Sequence, residues 1–147
     1  MQFIDLKTRH QLIEGKINAR IQGVMEHGQF ILGPEVRELE QKLAHYSGLR
    51  HCIAVSSGTD SLLIALMALG VGPGDEVITV PYTWISSAEV IALIGAKPVF
   101  TDIRSDTWNM DETLLENAIT EKTKAIMPVS IYGQCSEMDE INTIAQK

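Results

Sequence analysis

Four short apolar runs, each followed by a segment of helical period, occupy the sequence from His51 onward. Cys52-Ile53-Ala54-Val55 reads as a buried strand, with a helix after it over Leu62 to Leu69. Val77-Ile78-Thr79-Val80 leads into a helix over Ser86 to Ile94 that Gly95 stops, and Pro98-Val99-Phe100-Thr101 into one over Asp111 to Ile119. Ala125 to Ile131 reads as the fourth strand, although Pro128 belongs at an edge or a bulge because proline cannot donate to a strand ladder. Ser136-Glu137-Met138-Asp139 reads as a capping box opening a last helix, with Met138, Ile141 and Ala145 inward. Strands joined through helices pair in parallel, so this order predicts a mainly parallel sheet with helices packed on its faces. The last helix reaches Lys147 without a stop signal, and the expected domain is incomplete at its C-terminus.

The first 50 residues have a different texture. Ile13, Ile17, Ile21 and Val24 recur at helical spacing, and Gly28 is placed to stop that helix. Gly33-Pro34 opens a second helix: proline suits the first helical position, and Glu35 suits the positive end of the helix dipole. Val36, Leu39, Leu43 and Tyr46 form its apolar stripe, ended by Gly48. The expected organisation is an N-terminal helical segment over 1–50 and an α/β domain over 51–147.

Charge and composition exclude several classes of protein. Twelve Lys plus Arg against nineteen Asp plus Glu give a net charge of −7, which disfavours a cationic nucleic-acid binder. The longest apolar run, Leu62 to Gly72, is short of the ~18 residues of a membrane span. Met1-Gln2-Phe3-Ile4-Asp5 lacks the basic start and apolar stretch of a signal peptide. Cys52 and Cys135 have neither disulfide-scaffold number nor metal-ligand spacing, so no metal site is expected. These readings together predict a reduced, cytoplasmic protein that binds neither membrane nor nucleic acid.

In an open α/β sheet, ligands bind outside the carboxyl ends of the strands. Ser56-Ser57-Gly58-Thr59-Asp60-Ser61 falls at such a place. Gly58 lets the backbone approach a ligand, free N–H groups at the helix start favour an anion, and the Ser57 and Thr59 hydroxyls add donors. The plain alternative is an ordinary helix cap, for which the same residue types are chosen. Neither a Gly-Lys-Ser/Thr nor a G-x-G-x-x-G pattern is present. Trp84, just past the second strand, is either a packing aromatic or an indole that stacks on a planar ring at the same edge. Gln134 is either a third contributor to that edge or a solvated loop residue.

In order along the chain, Phe3-Ile4-Asp5-Leu6, Phe30-Ile31-Leu32-Gly33-Pro34-Glu35-Val36, Ser57-Gly58-Thr59-Asp60-Ser61-Leu62, Gly72-Pro73-Gly74-Asp75-Glu76-Val77-Ile78 and Pro128-Val129-Ser130-Ile131-Tyr132-Gly133-Gln134 carry a resemblance. The sequence resembles the N-terminal part of the DegT-type sugar-nucleotide aminotransferases, and the likeness runs over essentially the whole chain. It is most similar in look to members that aminate a keto-sugar nucleotide, including UDP-linked 3-keto-uronic acids, for bacterial surface polysaccharide such as O-antigen.

That resemblance implies a three-layer, aspartate-aminotransferase-like (fold type I) domain that binds pyridoxal 5′-phosphate. It implies an amino donor such as glutamate and a homodimer. By position, Gly58 and Thr59 match the family's contact to the cofactor phosphate, and Trp84 matches the aromatic that stacks on the pyridine ring. Gly33 matches a region near the family's dimer interface and active site. The family's cofactor-holding lysine sits in a Ser-x-x-Lys motif, and none of the seven lysines here occupies one. No catalytic residue is therefore assigned. A related cofactor-dependent sugar dehydratase, or a non-catalytic fragment that binds a ligand or partner chain, stands as the alternative.

Overall fold

The computed structural model describes residues 4–147; Met1 to Phe3, and with them Phe3 of the N-terminal motif, lie outside the described residues. The chain divides into two compact units, Met1–Ala54 and Val55–Lys147.

The first unit is helical. Helix α1 spans Leu6–His27: the Asp5 carboxylate accepts the Thr8 N–H at its start, and Gly28 closes its end in the left-handed conformation (φ 70°). Helix α2 spans Pro34–Tyr46 and begins at Gly33. Only glycine fits there, since a Cβ on Gly33 would sit 2.4 Å from the Gln29 carbonyl oxygen. An ion-pair cluster links the two helices. Glu38 Oε1 accepts from Arg20 Nη2 at 2.8 Å and from Lys42 Nζ at 2.5 Å. These two hydrogen bonds hold the Glu38 carboxyl well below its ordinary range, at about 2. The stripe Ile13, Ile17 and Ile21 is exposed, and α1 buries no residue.

The second unit is a three-layer α/β sandwich. Helix α3 (Gly58–Ala68) precedes strand β1 (Glu76–Thr79), followed by α4 (Ser86–Leu93), β2 (Lys97–Phe100), α5 (Leu115–Ala118), β3 (Thr123–Ile126) and α6 (Met138–Ala145). All three strands are parallel, in the order β2-β1-β3. Val77 opposes Pro98 on one side and Ala125 on the other, with the register slipping between Glu76 and Val77. Pro98 is tolerated because β2 pairs only with β1 among the described residues. The alternation of β1 side chains serves two cores. Val77 packs with Leu66, Val90 and Ile91 beneath α3 and α4; Ile78 and Val80 pack with Met110, Leu115 and Ile141 beneath α5 and α6. No helix among the described residues is long and apolar enough to cross a membrane.

Four sequence expectations need correction. Cys52 to Val55 is not a strand. A strand needs a hydrogen-bonding neighbour, the three strands present pair with one another, and the Ala54 N–H instead donates to Glu40 Oε1 at 2.8 Å. The last strand ends at Ile126, two residues before Pro128, rather than running to Ile131. No capping box forms at α6, where Ser136 Oγ is buried without a partner. The Asp111–Ile119 helix also opens as a 3-10 turn over Glu112–Leu114.

Two outcomes follow. Ile78 is fully buried at the sheet centre, so Ile78→Ala costs about 2–5 kcal/mol in chemical denaturation. Because the Glu38 pKa is lowered in the fold, its contribution is present above the ordinary 4.5 and is lost as pH falls toward 2. In an acid titration followed by circular dichroism, Glu38→Gln removes this component of the helix loss.

Candidate functional site

The order β2-β1-β3 places β1 where the connections diverge: the chain leaves β1 to one side for β2 and returns on the other side for β3. Such a reversal opens a crevice at the carboxyl end of the strands. A cavity of about 560 Å³ lies there, within the range of small-ligand sites.

Three segments build it. Gly58, Thr59, Ser61 and Leu62 line it from the first turn of α3; Thr83, Trp84, Ser86 and Ser87 from the β1–α4 connection; Val129, Ser130 and Ile131 from the segment after β3. The structure thus brings Gly58, Thr59 and Trp84 together around one cavity. Gln134 is not part of the lining; its backbone carbonyl accepts from Asn109.

The α3 start is arranged as an anion acceptor. The first N–H groups of any helix lack a partner within the helix. Ser57 Oγ accepts the Asp60 N–H at 3.1 Å and the Ser57 carbonyl accepts from Ser61 N–H, which leaves the N–H groups of Gly58 and Thr59 free for a ligand. Asp60 turns its carboxylate to the Ser56 hydroxyl and stays out of the cavity wall. Ser57 therefore caps the helix, as the plain alternative expects, while the Gly58 and Thr59 N–H groups keep no partner within the helix, so the cap does not block a ligand there. The start of α4 faces the same cavity through Ser86 and Ser87, and Thr83 Oγ1 lies 3.0 Å from Ser87 Oγ. None of the lining residues is charged, so helix ends and hydroxyls supply all the polarity.

The Gly58 backbone is not left-handed, and beyond its chain neighbours and its own helix no atom lies within 4 Å of where a Cβ would stand, as is also so at Gly15, Gly23 and Gly72. The space in front of it is open. Trp84 is 74% exposed beside this space, its carbonyl accepting the Ser87 N–H at the start of α4, so the indole is anchored through its backbone while its ring stays free.

The sequence reading missed Thr83, Ser86, Ser87 and Ser130. The signal available was the run of hydroxyl residues at the carboxyl end of a strand, flanking Trp84. It also missed Tyr82, whose hydroxyl lies 2.7 Å from that of Tyr132, and whose ring packs 5.5 Å from that of Trp108. The bond to Tyr82 pushes the Tyr132 phenol above its ordinary pKa.

At its strand reversal the parallel α/β unit thus sets two helix starts and an exposed indole around one cavity. The model of the DegT/DnrJ/EryC1/StrS aminotransferase family matches residues 11–147, and the chain belongs to that family. It is 58% identical over 147 residues to the UDP-2-acetamido-2-deoxy-3-oxo-D-glucuronate aminotransferase of Pseudomonas aeruginosa, covering 100% of this chain and 41% of that protein. A DegT DnrJ EryC1 StrS aminotransferase from Brucella abortus superposes with a TM-score of 0.94 at 44% identity, over 99% of this chain and 41% of that one. The NtdA structure from Bacillus subtilis, solved with bound cofactor PMP, matches with a TM-score of 0.85 at 38% identity, over 88% of this chain and 30% of that one. The chain spans about two fifths of the length of the curated relatives it matches.

Ser57→Ala leaves the Asp60 N–H without its acceptor and lowers stability by ~1 kcal/mol, as read by thermal denaturation.

Proposed function

We propose that this chain is the cofactor-cradling part of a pyridoxal 5′-phosphate-dependent aminotransferase that acts on a nucleotide-linked keto-sugar. The observation that carries the reading is the open space before Gly58, between two helix starts and an exposed indole. The fit rests on chemistry. A phosphate needs several donors and tolerates a wall without side-chain cations when helix N–H groups point at it, and a flat ring needs an aromatic face. Gly58, Thr59 and the hydroxyls of Ser86 and Ser87 meet the first need; Trp84 meets the second.

When bound, pyridoxal 5′-phosphate supplies an electron-accepting ring for chemistry at an amine-bearing carbon. This chain's own residues bind and orient. The N–H groups of Gly58 and Thr59 and the Thr59 hydroxyl would hold the phosphate, and the Trp84 indole would offer its face to the ring. The Val129–Ile131 segment supplies a further part of the cavity wall. No residue here is assigned to proton transfer, because no Ser-x-x-Lys occurs in the sequence.

The 58% identity to an enzyme named for a UDP-linked 3-oxo-glucuronate supports a substrate of that kind, and with it a role in bacterial surface polysaccharide such as O-antigen. Glutamate as amino donor belongs to the same reading. So does a homodimer, supported by the exposed Ile13-Ile17-Ile21 stripe, which needs an apolar partner. The free thiols of Cys52 and Cys135 fit a reducing cytoplasm. The domain proposed for 51–147 is the first part of the cofactor-binding domain, preceded by the helical segment 1–50.

The test is titration with pyridoxal 5′-phosphate and, separately, inorganic phosphate, followed by isothermal titration calorimetry. Gly58→Ala leaves thermal stability unchanged or slightly raised, since its Cβ meets nothing, yet weakens binding about tenfold or more by filling the cradle. Thr59→Val removes one donor to a charged oxygen and weakens binding by ~1–3 kcal/mol. Trp84→Ala lowers affinity for the pyridoxal compound while leaving that for inorganic phosphate unchanged. Equal affinity of all variants for both probes defeats the reading.

A further inference from the structure

The segment that closes the cavity after β3 is a turn without regular secondary structure, so something else must fix it. Within Ser130–Gly133 the backbone closes on itself through a Gly133 N–H donating to the Ser130 carbonyl at 3.0 Å, with Gly133 left-handed (φ 82°). The stronger restraint comes from a different connection. Asn109 is 3% exposed, and its side-chain amide nitrogen donates to two successive carbonyls of this segment, Gln134 at 3.2 Å and Cys135 at 3.0 Å. Neither carbonyl has a strand or helix partner to replace it.

The bracket that carries Asn109 is itself rigid. Ile103 and Met110 form an antiparallel bridge, and the Arg104 N–H donates to the Asn109 carbonyl at 2.9 Å. The Arg104 guanidinium grips Asp106 through both carboxylate oxygens at 3.0 Å and reaches Glu112 at 2.9 Å. Trp108 is held left-handed (φ 62°), a costly state for a bulky residue that persists only where its surroundings over-determine it. That backbone sets the Trp108 ring against Tyr82, and Tyr82 in turn hydrogen-bonds Tyr132 at the tip of the turn.

We propose that Asn109 is a positioning residue for the cavity: its amide clamps the Gln134 and Cys135 carbonyls while the Tyr82–Tyr132 hydroxyl pair holds the tip, so that Ser130 and Ile131 are kept in the wall of the cavity that Gly58 also lines. The inference rests on the reading of this cavity as a pyridoxal 5′-phosphate site. It makes the 102–111 connection, which contributes nothing to the cavity wall, a determinant of the cavity's shape.

The experiment compares the 147-residue chain with Asn109→Asp and Tyr132→Phe, measuring hydrogen exchange by mass spectrometry and pyridoxal 5′-phosphate affinity by fluorescence. Aspartate has the size of asparagine but, when ionised, offers only acceptors to two carbonyl oxygens. The expected result is a loss of protection of about tenfold or more over 130–136, with β1 peptides unchanged, and a parallel loss of affinity. Tyr132→Phe, an exposed change that spares the fold, gives the same pattern more weakly and decides the matter if Asn109→Asp does not fold. Unchanged exchange and affinity overturn the proposal; so does lost protection with intact affinity, which reduces Asn109 to a structural tie. A native chain that binds no pyridoxal 5′-phosphate overturns the functional reading itself, whereas native binding that both variants retain overturns only the role of Asn109.

Discussion

Strand β1 has hydrogen-bond ladders on both sides and apolar cores on both faces, and no other element among the described residues is enclosed in this way. Its enclosure places the strand reversal in the middle of the sheet, and the cavity lies at its carboxyl end. Trp84 reaches the cavity because it follows β1 by five residues, and Ser130 because it follows the neighbouring β3 by four. At the opposite end, Glu76 is anchored by Lys97 Nζ at 2.9 Å and Thr120 Oγ1 at 2.7 Å, which lower its carboxyl pKa and tie β1 to segments beside both neighbours. Charge is thus concentrated at one end of the strand and excluded from the cavity at the other.

Features written in local chemistry were legible from the residues alone. Gly28 stops α1, Pro34 opens α2, and Ser57 caps α3, each because one residue's backbone or side chain decides the outcome. Features that depend on a distant partner were not. Cys52-Ile53-Ala54-Val55 has the composition of a strand, but composition does not say whether a second strand lies alongside. Ser136 has the spacing of a capping residue, yet its hydroxyl is buried without a partner. Pro128 was the exception, a local signal that marked where the last strand fails.

The candidate site divides along the same line. Trp84 stood out because it follows a true strand, β1, whereas Gly58 and Thr59 stood out through the Ser, Gly and Thr of their helix-start turn, the strand expected before them at Cys52–Val55 being absent. Asn109 was not, because its worth lies in two carbonyls 25 and 26 residues away, and an asparagine in a loop has no sequence signature for that.

The uncharged cavity wall has a kinetic consequence. A protein of net charge −7 repels an approaching anion, and helix-end dipoles act only over the last few ångströms. On the proposed function, entry of the anion would therefore be an unsteered, comparatively slow encounter that added salt, by screening the repulsion, accelerates. Its affinity would then reside in slow departure, and selection would fall on ligand shape more than on ligand charge.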